Sequence, residues 1–201
     1  MTVFQSAVPL GLTLMLVSLS AGIPRYFIER IYGAAMLGTF VAVASFTTVG
    51  LTIVNALGQS ATTRLATAFA EHKLLLFRSL AIKLCLFAAG IGLAGALIAF
   101  FGGRFFLSLV YRPEYAQNQW LLVEMMLAGT VTYVAVILGF VTTSTRRFKE
   151  QLPLLIAVAA TSALVSLHQI PGRGLRGAVL ALATAALVQI VGLLLILRKA
   201  L

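Results

Sequence analysis

The sequence predicts an all-α fold, a polytopic membrane helix bundle of about six transmembrane helices, from three observations. Of 201 residues, 61% are hydrophobic and only 10% charged, whereas a soluble domain is roughly 45–50% apolar and about 25% charged. Apolar runs of roughly 20 residues, the length that crosses a hydrocarbon core as a helix, recur along the whole chain. The basic residues fall mostly between those runs.

Taken in order, the runs place spans at residues 8–23, 38–57, 80–101, 120–141, 152–169 and 177–197. The first could be read as a cleaved leader. No Lys or Arg precedes it, however, as a leader's start requires, so a span is expected. Pro24 is expected to end it, because proline cannot donate the next helical hydrogen bond. Residues 61–79 set Arg64, Thr67, Glu71 and Arg78 on one side of a helical wheel, with Leu65, Phe69 and Leu76 on another. That pattern predicts an interfacial amphipathic helix between the second and third spans, although an extension of the second span would show it too. Pro113 breaks the third connection, and Pro153 falls in the first turn of the fifth span, where proline is tolerated. Pro171, Gly172, Gly174 and Gly177 mark a short turn into the last span. Without a linker to divide it, 1–201 is expected to be a single membrane domain.

The net charge is +10, from 15 Lys and Arg against 5 Asp and Glu. In this setting it reads as a topology signal and as anionic-lipid contact, not as nucleic-acid binding, because no basic face with interleaved aromatics lies outside the spans. Arg64, Lys73, Arg78, Lys83, Arg146, Arg147, Lys149, Arg198 and Lys199 fall on one side of the predicted topology. Arg25, Arg30, Arg104, Arg112, Arg173 and Arg176 fall on the other, and the larger group favours both termini in the cytoplasm. Cys85, the single cysteine, lies in an apolar run and reads as a small buried hydrophobe. Paired acids, a His and Cys cluster, a phosphate-binding glycine loop and a nucleophile elbow are all missing from the sequence, so neither an enzyme nor a metal or cofactor site is expected.

Polar residues inside the runs are the candidates for function. Ser45, Thr48, Thr52, Asn55 and Gln59 recur at spacings of 3 and 4 and share one helical face, which either hydrogen-bonds to other helices or lines a hydrated cavity. Ser18, Gly22, Arg25 and Glu29 share another. Arg25 must reach the interface, water or an anion, because an arginine inside a bilayer costs about 2.5–3.5 kcal/mol or more. Glu29 is an expected partner for Arg25 or Arg30. Ala88, Gly92 and Ala96 form a small-residue ridge suited to close helix approach. Glu124 is a possible ion-coupling residue or an interfacial one, while Gln189 is expected to hydrogen-bond between helices.

Five pieces together carry a family resemblance. They are Ile23-Pro24-Arg25-Tyr26-Phe27-Ile28-Glu29-Arg30, then Asn55-Ala56-Leu57-Gly58-Gln59-Ser60 running into Arg64-Leu65-Ala66, then Leu109-Val110-Tyr111-Arg112-Pro113-Glu114-Tyr115. The segment from Arg146 to Pro153 and the turn from Ile170 through Ala178 complete them. In order and spacing the chain resembles the polysaccharide transporter family, the O-antigen flippase-like branch of the multidrug/oligosaccharidyl-lipid/polysaccharide flippase superfamily. It is similar to the C-terminal six-helix lobe only.

The resemblance implies alternating access, in which two lobes rock around a cationic cavity that takes a polyprenyl-pyrophosphate-linked oligosaccharide. Arg25 and Arg30 would contact the head group, and the stripe from Ser45 to Gln59 would face the sugar. Partners are then the lipid-linked oligosaccharide, membrane lipids and a second six-helix lobe or glycan-assembly membrane proteins, at the inner membrane. Two other readings stay open: a proton- or sodium-coupled exporter of small cations or drugs, using Glu124, and a non-transporting partner in a glycan-assembly complex.

Overall fold

The computed structural model describes the backbone of residues 2–111, 117–145 and 148–200, and side chains from Met15 onward with few gaps. Arg112, Pro113, Glu114, Arg146 and Arg147 lie outside the described residues, as does the side chain of Lys149. The described chain is helical apart from short turns: α1 Thr2–Ala70, α2 Leu74–Val110, α3 Gln119–Ser144, α4 Phe148–Arg173 and α5 Leu175–Ala200. All five are long and apolar enough to cross a membrane, the architecture of a multi-pass membrane protein.

α1 is two arms. Gly33, with φ 80 and ψ 177, interrupts it, in a backbone region that side chains with a Cβ rarely enter. The expected stop at Pro24 does not occur, because the helix runs through it. The physical reason lies on α4. Pro24 cannot donate to the carbonyl of Ser20 one turn back, and the hydroxyl of Ser162 donates to that carbonyl instead, at 3.0 Å. Ser162 is fully buried. Ser162→Ala should therefore destabilise the bundle by about 0.6–1.7 kcal/mol, the range for one interhelical hydrogen bond in a membrane protein. Adding Pro24→Ala, which returns the missing N–H, should recover most of that loss. Unfolding curves of the four proteins in micelles test this coupling, and purely additive costs would refute it.

At the break, Tyr32 donates to the carbonyls of Ile170 and Pro171, at 3.0 and 3.1 Å. Those carbonyls belong to the last turn of α4, so Pro171 and Gly172 lie inside a helix and not in the turn expected of them. The reversal is made at Gly174 alone, with φ 58; its N–H closes on Ile170 O at 2.8 Å, a left-handed C-cap. Pro153 likewise sits deeper in its helix than expected, because α4 opens at Phe148.

The surface helix expected over 61–79 is not a separate element. Residues up to Ala70 continue α1, the chain turns through His72 at φ 55, and α2 opens at Leu74. The amphipathic pattern is met in part by the hairpin's own partner: Leu65, Ala68 and Phe77 are buried together and the rings of Phe69 and Phe77 lie 5.5 Å apart, while Leu76, expected on the apolar side, is exposed. Arg64, Glu71 and Arg78 stay exposed. With 37 residues, α2 is about 55 Å long, well beyond a ~30 Å hydrocarbon core.

α3 is the central helix, with 56% of its apolar window buried against 22–33% for the others. α2 packs along it through the predicted ridge: Ala88, Gly92, Ala96 and Ala99 are all buried. A Cβ on Gly92 would lie 2.6 Å from the Cα of Thr130, so the two backbones approach as closely as the ridge implied. The core forms two layers along the bundle. One surrounds Phe40, Met125 and Ile170 near the Gly33 break, and the other surrounds Val54, Tyr133 and Val141 toward the hairpin.

Candidate functional site

The two arms of α1 meet α3 at a crevice of about 140 Å³. Ala21 and Arg25 line it from the first arm, Thr47 and Thr48 from the second, Gly129, Thr132 and Tyr133 from α3, and Leu182 closes it from α5. That volume is worth four or five waters at about 30 Å³ each. A group the size of a phosphate fits within it.

Among the described residues, Arg25 is the one charged side chain that lines the crevice. Its side chain is exposed and, among the described residues, has no ion-pair or hydrogen-bond partner. Glu29, the expected partner, pairs with neither Arg25 nor Arg30 among the described residues. A guanidinium left in an apolar bundle needs water or an anion. The hydroxyls beside it are committed differently. Thr47 donates to Ala44 O at 2.6 Å, Thr48 to the same carbonyl at 3.4 Å, and Thr132 to Ala128 O at 3.0 Å. Tyr133 donates to Thr47 O at 2.6 Å, drawing the second arm onto α3. These hydroxyls have given their protons to backbone carbonyls, so they offer lone pairs. The crevice thus pairs one donor fork for an anion with acceptor oxygens for O–H groups.

The predicted stripe does not act as one unit. Ser45 bonds across to α2, its hydroxyl 2.9 Å from that of Tyr111. Thr48 joins Arg25 in the crevice. Thr52 is exposed and donates to its own helix, at Thr48 O. Asn55 and Gln59, half-buried and exposed respectively, find no partner among the described residues. An exposed amide against hydrocarbon would leave four hydrogen-bonding positions unmet.

Arg30 is not brought to the crevice. Five residues beyond Arg25 on one helix, it is turned about 140° away, exposed and outside the described cavities. Glu124 lies elsewhere again, paired with Arg176 of α5 at 3.3 Å beside a separate cavity that also takes Arg173. Gln189, expected to bridge helices, is half-buried without a hydrogen-bond partner among the described residues.

Sequence reasoning missed Thr47, Thr132 and Tyr133. Thr47 lies off the 3 and 4 spacing of the stripe, and the other two come from a helix whose polar residues showed no periodicity of their own.

Against known proteins, no family model matches the chain, and no solved structure matches it. Over 189 residues it is 24% identical to the capsular polysaccharide biosynthesis protein CapF of Staphylococcus aureus, an alignment covering 94% of this chain and 48% of that protein. The chain therefore spans about half the length of the relative it matches; that relative is named for polysaccharide biosynthesis, and this chain's own apolar helices suit a membrane.

Proposed function

We propose that the chain is one lobe of a flippase that carries a polyprenyl-pyrophosphate-linked oligosaccharide across the inner membrane during polysaccharide biosynthesis, by alternating access with a second lobe. The observation that carries this reading is the guanidinium of Arg25, without a partner among the described residues, in a hydroxyl-lined crevice between apolar helices. The relative's role in capsule biosynthesis and its roughly doubled length support it. In this reading the two arms of α1 count as separate passes, making six, and both termini are cytoplasmic. The basic hairpin and the end of α5 share one end of the bundle, since Arg78 and Arg198 line the same groove; that end faces the cytoplasm. The face carrying Thr52, Asn55 and Gln59 meets the hydrated pathway opposite the second lobe.

Coupled export through Glu124 finds less support. The carboxylate already holds Arg176, both partly exposed at one end of α3, where an ion pair is interfacial rather than a mid-membrane relay.

Depleting the chain from its native cells should make lipid-linked oligosaccharide accumulate on the cytoplasmic face while surface polysaccharide falls. Glu124→Gln should restore surface polysaccharide fully in a complementation assay. Loss of export in that variant with normal abundance would favour ion coupling at Glu124, and no accumulation on depletion would refute flipping.

A further inference from the structure

We infer that the groove between α2, α3 and α5 is a seat for one anionic phospholipid of the leaflet at the hairpin end. This inference needs the chain in a bilayer but not the transport reading. The groove holds about 620 Å³ and is walled by apolar side chains, among them Ile82 and Leu86 of α2, Leu138 of α3 and Leu194 of α5. Arg78 of α2 and Arg198 of α5 stand at one end of it, and no acid lines it among the described residues. Neither arginine has a partner among the described residues, and both are exposed.

Two features select the occupant. From Arg78 to Ala89 the groove follows α2 for about 16 Å, at 1.5 Å per residue, which is the depth of one leaflet. An acyl chain fits that depth, whereas a polyprenyl chain, several times longer, overruns it. The arginines then sit where a phosphodiester meets the water, straddling it from two helices. Arg198 lies in the last turn of α5, where the helix dipole itself favours a cation. Arg78, in the second turn of α2, has no such complement from its own helix. An external anion between the two arginines supplies the negative charge that no described residue of the groove provides.

Cys85, the single cysteine, lies half-buried in the groove wall and reports on its occupancy. Alkylation of Cys85 by a maleimide would be followed on the purified 201-residue chain in neutral micelles, with phosphatidylglycerol or phosphatidylcholine added at equal mole fraction. Phosphatidylglycerol should slow the reaction at least about fivefold relative to phosphatidylcholine, as expected for one or two arginine–phosphate contacts. The Arg78→Gln, Arg198→Gln double variant should react equally in both lipids, and Arg78→Lys should keep most of the difference. Should the double variant lose its helical circular dichroism, Arg78→Gln alone decides, with an intermediate loss expected. Equal rates in the two lipids for the natural chain overturn the inference. So does a lipid difference that survives the double variant, protection that tracks protein concentration (a second copy in the groove), or stronger protection by a polyprenyl phosphate.

Discussion

Gly177→Ala is expected to cost about 3 kcal/mol or more, the upper end for overpacking, and to cut membrane abundance sharply. Gly177 sits three residues past the Gly174 reversal, on the face of α5 that meets α4. A Cβ there would overlap the carbonyl of Gln169 and lie 2.8 Å from the amide nitrogen of Ile170. Both obstacles are backbone, so no rotamer change relieves them. The two helices would have to separate at the point where Tyr32 anchors the Gly33 break to α4. Gly139→Ala is the control: nothing lies within 4 Å of its Cβ position on α3, so it should gain about 0.5–1 kcal/mol from helix propensity. Unfolding both variants in micelles separates the two cases. Equal stabilities would show that close α4–α5 contact does not hold the bundle.

Arg25→Ala is expected to reduce polysaccharide export about 10- to 100-fold at matched membrane abundance, the equivalent of the ~1.5–3 kcal/mol of charged hydrogen bonds it would remove from a bound anion. Arg25→Lys should keep the charge but lose part of the function, because an ammonium cannot reproduce the planar two-point contact of a guanidinium. Snorkelling to the interface predicts the opposite for lysine, which snorkels as well as arginine and should be silent. Arg30→Ala should have the smaller effect, since Arg30 lies away from the crevice. The assay is run in cells, with the chain in the two-lobe assembly proposed above. Export at the natural rate in both Arg25 variants would reduce Arg25 to a topology anchor.

The helical class was legible because membrane-length apolar runs have no other use, and the Ala88, Gly92 and Ala96 ridge was legible because small residues at spacing 4 act through one helix face. What escaped depended on contacts between distant parts of the chain. Pro24 reads as a stop until Ser162, 138 positions later, supplies the donor it lacks. Gly33 carries the true break, yet one glycine among 17 has no distinguishing neighbour pattern. The amphipathic stretch after Ala61 fits a membrane surface and a hairpin equally well, because either partner covers Leu65 and Phe69. At the site, periodicity found Thr48 and the embedded charge identified Arg25, but their meeting depended on the fold at Gly33. Arg30 and Gln59 shared the same sequence signals and went elsewhere.

The central claim, that this chain helps move an oligosaccharide head group across a bilayer, is tested most directly by a head-group accessibility measurement in proteoliposomes. A labelled polyprenyl-pyrophosphate oligosaccharide is placed in the inner leaflet, and a glycosidase confined outside reports each head group that crosses. With the two-lobe assembly containing this chain, the labelled pool should become accessible far faster than in protein-free vesicles, and Arg25→Ala should slow it toward the protein-free rate. Crossing no faster than in protein-free vesicles, with the assembly folded and inserted, would contradict the account.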